Sequence, residues 1–134
     1  MADRLVLHFD GGSRGNPGPG YGSFVLFADG TEVRRRHLEL GPRLTNNEAE
    51  YEALIAGLQD ALGWLQGRGV DPAKVEIEVR GDSQLVIRQL RGAWKVREPR
   101  MGVLRDRALA QLRRFRTFSL RQVPRRRSVE LLGH

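Results

Sequence analysis

Apolar positions along the chain repeat at two different periods. Arg4–Phe9 reads as a strand, with Leu5, Val6, Leu7 and Phe9 apolar. The pattern then breaks, and six glycines and two prolines fall between Gly11 and Gly22. Tyr21–Ala28 resumes a strand, and Asp29-Gly30 is a hairpin turn signal. Thr31–Leu40 is the returning strand, so the first three strands form an antiparallel meander. The period then lengthens: Tyr51, Leu54, Ile55, Leu58, Leu62 and Leu65 recur at helical spacing. Thr45 and Glu48 fit a capping box at the start of this helix, Asn46 or Asn47 would cap it equally well, and Gly67 and Gly69 end it.

Val75–Val79 alternates as a strand until Gly81-Asp82-Ser83 interrupts it, and Ser83 starts a second helix from Gln84 to Arg91. Glu98-Pro99 opens a third helix, apolar at Met101, Leu104, Leu109, Leu112 and Phe115. Thr117–Val123 is a last strand, stopped by Pro124, and Arg125–His134 reads as a short terminal helix or a tail. The order β-β-β-α-β-α-α-β predicts an α/β fold: a mixed sheet with helices packed on it.

Composition narrows this picture little. The 134 residues suit a single domain with a real core. With no cysteine, disulfides and thiolate metal sites are excluded. Met1-Ala2-Asp3-Arg4 lacks the basic and apolar regions of a signal peptide, and no apolar run approaches the roughly 20 residues of a membrane span. The expectation is a soluble cytoplasmic monomer. Charge says more. Residues 1–84 hold 9 basic and 13 acidic residues, a net −4, whereas residues 85–134 hold 14 and 3, a net +11. A basic surface of that size suits a polyanion.

Three carboxylates stand at special places. Asp10 ends the first strand, Glu50 lies in the first turn of the long helix, and Asp82 ends the fourth strand where the chain turns into a helix. In a sheet with helical crossovers such positions gather at one edge. Clustered carboxylates repel unless they share a proton or a cation, and oxygen ligands select hard cations such as Mg²⁺ or Mn²⁺. Two such ions held together hydrolyse phosphodiesters.

The blocks FDGGSRGNPGPGYG, LTNNEAEYEAL and VRGDSQLVIRQLRGAWKV, in this order and followed by VPRRRS, resemble the signature blocks of the type 1 ribonuclease H family from about Leu5 to Ser128. The resemblance implies a five-stranded mixed sheet flanked by helices. It also implies two-metal endonucleolytic hydrolysis of the RNA strand of an RNA–DNA hybrid, leaving 5′-phosphates. The metal-binding Asp, Glu and Asp match Asp10, Glu50 and Asp82. Positions that read 2′-hydroxyls match Gly11, Gly12, Ser13, Asn16, Asn46 and Gln84, with Ser83 beside them. Asn47 matches a contact to the DNA strand, and Arg43 and Thr45 match a pocket for a DNA phosphate. The glycine segment implies close approach of backbone to nucleic acid. Some relatives insert a basic protrusion after the second helix. Here LRGAWKVREPRMGVLRDR passes directly to the third helix, as in the compact branch, and leaves Trp94, Lys95, Arg88, Arg91 and Arg97 to grip the hybrid.

The end of the chain departs from the pattern. Counting from Arg125, the usual Asn position holds Ser128 and the usual fourth carboxylate position holds Leu132. Glu130 is the nearest substitute and His134 the next. Glu130 would sit about 200° from the Leu132 position on a regular helix, so it reaches the site only if this segment is not one. Two other readings compete with the nuclease: a module that binds hybrid or RNA without cleaving it, and a metal-dependent DNA nuclease on the same fold.

Overall fold

A computed structural model describes residues 3–133. The chain forms β1 (Arg4–Ser13), β2 (Gly18–Ala28), β3 (Thr31–Leu44), α1 (Asn46–Gly67), β4 (Glu76–Gly81), α2 (Gln84–Leu90), α3 (Pro99–Leu112), β5 (Thr117–Gln122) and α4 (Arg125–Leu132). The five strands make one sheet in the order β3-β2-β1-β4-β5. Both meander pairings are antiparallel, and β4 pairs in parallel with β1 and with β5. The mixed sheet predicted from the element order is therefore present. Asp29 and Gly30 take positive φ values of 49° and 85° at the hairpin, as a two-residue turn matched to strand twist requires.

The glycine segment differs from the expectation of a break. β1 continues through Asp10 to Ser13, with Gly11 opposite Gly22, Gly12 opposite Tyr21 and Ser13 opposite Gly20. The reason is space. A Cβ on Gly11 would lie 2.4 Å from the Ala49 carbonyl oxygen, and one on Gly22 would lie 2.7 Å from the Ala53 Cβ. Both are far inside contact distance, so only residues without a side chain let α1 lie down on β1 and β2 here. These glycines serve the approach of a helix, which the reading from nucleic-acid contact alone misses.

The rest of the packing follows the apolar pattern. Leu5, Leu7 and Phe9 of β1, Phe24 and Leu26 of β2, and Ile77 and Val79 of β4 are buried with Tyr51, Leu54, Leu58 and Leu65 of α1 in one core. Each large aliphatic side chain buried this way contributes about 1.5–3 kcal/mol. The Thr45–Glu48 capping box forms: the Thr45 side chain accepts from Glu48 N at 3.2 Å, and Thr45 N donates to Glu48 Oε1 at 3.0 Å. The terminal segment is a regular helix, α4, closed by Gly133 at φ 82°. Leu132 is 1% exposed, and Arg35 Nη1 donates to the Leu131 carbonyl at 2.7 Å, which pins this helix to the meander. His134 lies outside the described residues.

Candidate active site

Parallel pairing places the two aspartates side by side. Phe9 is the partner of Gly81 across β1 and β4, so Asp10 on β1 and Asp82, just past the end of β4, follow a paired position and stand at the same end of this parallel pair. The glycine-lined contact of α1 with β1 carries Glu50 to that end as well. Carboxylate oxygens of Asp10, Glu50 and Asp82 lie within 4.8 Å of one another. Among the described residues they form the one group of acidic, histidine or cysteine side chains arranged to hold a metal ion.

Electrostatics records the strain of this arrangement. Burial, then the Asp82 charge, pushes the Asp10 carboxyl up to about 6, against a hydrogen bond from the Gly11 backbone. Burial pushes Glu50 up to about 7, and a hydrogen bond with Ser83 works against it. Ser83 also caps α2, its hydroxyl oxygen accepting from Val86 N at 3.2 Å. Asp82 Oδ2 is buried without a hydrogen-bond partner and lies 3.7 Å from Arg125 Nη1. A buried carboxylate oxygen with no hydrogen bond, set beside two other carboxylates and faced by one exposed guanidinium, belongs to a hard-oxygen donor set, so the residues present fit a divalent cation such as Mg²⁺ or Mn²⁺.

A cleft of about 420 Å³ opens where the start of α1 meets α2 and the α2–α3 connection, lined by Asn16, Thr45, Asn47, Lys95, Arg97 and Met101 among others. It joins three of the residues matched to substrate contacts, Asn16, Thr45 and Asn47, to two of those left to grip the hybrid, Lys95 and Arg97. Asn46 stands at the rim, where its Oδ1 accepts from Ser13 N at 2.8 Å and its N–H donates to Asn16 Oδ1 at 3.0 Å. These bonds fix the β1–β2 connection against the start of α1, so part of the polar signature is structural. Arg43 and Gln84 are exposed at the end of β3 and the start of α2. Trp94 is 41% exposed, with the Arg88 guanidinium 5.2 Å from its ring centre. The connection from α2 to α3 holds no helix, as expected of a chain without the protrusion. Arg91 donates to the Leu120 carbonyl and so ties α2 to β5.

The expectation for Glu130 is corrected. Its condition was an irregular terminal segment, and α4 is regular. Glu130 is exposed on it, outside the three-carboxylate group, while Leu132 turns inward as a core residue. The cleft also holds residues that the sequence patterns did not single out. Leu85, Gln89 and Val96 line it, and Glu48 reaches from the capping box to Arg100 on α3 at 2.6 Å. Leu85 and Gln89 sit inside an ordinary amphipathic helix, where spacing alone does not separate a cleft wall from core.

The pattern of the reverse transcriptase-like family matches residues 8–130. A solved structure of RNase H1 from the halophilic archaeon Halobacterium salinarum superposes with a TM-score of 0.84 at 42% identity, covering 96% of this chain and 93% of that one. The chain belongs to the type 1 ribonuclease H family. LC11-RNase H1, solved in complex with an RNA/DNA hybrid, is similar at 33% identity and a TM-score of 0.83, covering 94% of this chain and 89% of that one. The bifunctional protein of Mycobacterium tuberculosis is 43% identical over 127 residues, which are 94% of this chain and 33% of that protein. The chain thus spans about a third of this curated relative. Among the described residues, no helix of this ribonuclease H-family chain is long and apolar enough to cross a membrane.

Proposed function

We propose that the protein is a ribonuclease H, a divalent-metal-dependent endonuclease that hydrolyses the RNA strand of RNA–DNA hybrids and acts as a monomer. The observation that carries this reading is the meeting of Asp10, Glu50 and Asp82 within 4.8 Å, with a cleft on the same α1 and α2 elements whose lining includes Asn16, Asn47, Lys95 and Arg97. A hybrid complex of a relative with the same fold supports the substrate class.

In this reading Asp10, Glu50 and Asp82 hold two Mg²⁺ or Mn²⁺ ions. Bound there, such ions supply a nucleophilic water at neutral pH and offset charge on the departing oxygen. The protein does the rest. Ser83 holds the Glu50 carboxylate in place. Asn16, Asn46 and Asn47, with the Gly11, Gly12 and Ser13 segment, meet the nucleic acid where hydroxyl-reading donors and acceptors discriminate RNA from DNA. Lys95 and Arg97 lie where phosphates pass, and Arg88 on Trp94 extends the basic rim. A pure binding module gains nothing from three anions placed where phosphate must approach.

The test uses three labelled duplexes, an RNA–DNA hybrid, double-stranded RNA and double-stranded DNA, each with and without Mg²⁺. Cleavage confined to the hybrid and to the metal-containing reactions is expected. Metal-dependent cutting of double-stranded DNA would overturn the substrate class, and tight hybrid binding without cutting would overturn the enzyme.

A further inference from the structure

The cleft contains one buried polar side chain that neither the carboxylate group nor the family-matched contacts use. Gln89, on α2, is 7% exposed and lines the cleft with Asn16, Thr45, Asn47 and Lys95. Its Oε1 accepts a hydrogen bond from the Tyr51 hydroxyl at 2.8 Å. Tyr51 is fully buried, so turning the amide over would let Nε2 donate to the hydroxyl oxygen but leave the hydroxyl hydrogen without this acceptor in a buried place. The bond therefore fixes which way Gln89 faces, with Oε1 toward α1 and Nε2 away from it. Among the described residues no acceptor pairs with Nε2. The nitrogen is not among the sealed, unpartnered atoms either, which leaves its two N–H donors open to the cleft.

We propose that Gln89 is a substrate-contacting, specificity-determining residue. Its Nε2 donates to a neutral acceptor on the strand seated in the cleft, a sugar oxygen or a base edge, and Tyr51 is the positioning residue that aims it. The inference rests on the hybrid-nuclease reading. A neutral acceptor is favoured over a phosphate because Gln89 shares its wall with Leu85, Val96 and Met101. An anion there would lose its water against apolar side chains, whereas Lys95 and Arg97 offer it a better place. Every base pair presents acceptors in the minor groove, so the contact adds affinity without demanding a sequence. Tyr51 adjoins Glu50 on α1, and Gln89 shares α2 with Ser83, the hydrogen-bond partner of Glu50. A strand seated on Gln89 is thereby held in register with the carboxylates.

Two variants separate contact from scaffolding. Tyr51→Phe/Gln89→Leu removes both members of the buried bond, so it leaves no orphaned group and should melt close to wild type. Gln89→Glu keeps an acceptor for Tyr51 and lacks the donor. With Mg²⁺ and a labelled hybrid, both should raise KM five- to tenfold with kcat within twofold of wild type. Hybrid binding measured by anisotropy in Ca²⁺ should weaken by a similar factor. An unchanged KM and affinity in both variants would overturn the inference, as would a fall in kcat alone, which marks a structural role. A wild-type protein that neither binds nor cuts hybrid would instead overturn the functional reading beneath it.

Discussion

Replacing Asp10 by Asn should abolish cleavage and, without divalent metal, make the fold more stable. Asp10 is 6% exposed, and its carboxyl is pushed up to about 6 by burial and the Asp82 charge. In the unfolded chain it titrates near 4. Holding it ionised at pH 8 therefore costs the native state about 2–3 kcal/mol. The sign follows from the raised native value: the penalty is complete above about pH 6 and fades as pH falls toward 4, because the native protein takes up the proton first. Asn keeps the size of the side chain and drops the charge. In EDTA at pH 8 the variant should gain about 6–15 °C in Tm, at roughly 3–5 °C per kcal/mol for a domain of this length. At pH 5 about half of that gain should remain and near pH 4 most of it should be gone, and at saturating Mg²⁺ it should shrink because the ion offsets the wild-type charges. His8 works in the opposite direction. Burial, then the Arg80 charge, lowers its imidazole to about 4, so stability is lost as pH falls from about 6.5 toward 4. Asp10→Asn should unmask that acid decline. Calorimetric melts at pH 8 and pH 5 decide the matter. A variant no more stable than wild type at pH 8 in EDTA would refute the idea that the carboxylates are held together at a cost.

Gly11→Ala should damage both fold and activity, since the added carbon lies 2.4 Å from the Ala49 carbonyl oxygen. The expected loss is about 1–3 kcal/mol by denaturant melts, with kcat falling because Glu50 moves with α1. Neutralising Arg88, Lys95 and Arg97 together to Gln should lower the slope of log affinity for hybrid against log salt by close to one for each lost phosphate contact. An unchanged slope would place the binding face elsewhere. Glu130→Gln should leave cleavage rates in Mg²⁺ and in Mn²⁺ within twofold of wild type, because the residue is exposed on a regular helix. A large loss in both metals would return it to the site.

Much of the fold was legible because local signals agreed with one another. The Asp29-Gly30 turn, the Thr45–Glu48 box and the Ser83 cap each bounded an element, and a meander followed by helix-separated strands leaves few sheets to choose from. What was not legible depends on partners distant in sequence. Asp10 looked like the end of a strand because glycines follow it, and only the neighbouring α1 shows why β1 runs on to Ser13 through residues with no side chain. Leu132 occupies the place of a carboxylate, but its neighbours on α4 do not reveal that it turns into the core. Gln89 has the same sequence environment as any helix residue, and its bond to Tyr51 spans 38 positions.

One duplex tests the central claim most directly: a hybrid whose RNA and DNA strands carry different fluorophores, incubated with the protein in Mg²⁺ and again with EDTA. The account predicts internal cuts in the RNA strand, an intact DNA strand and no cutting in EDTA. Cleavage of the DNA strand, cutting that persists in EDTA, or two intact strands in Mg²⁺ would contradict it.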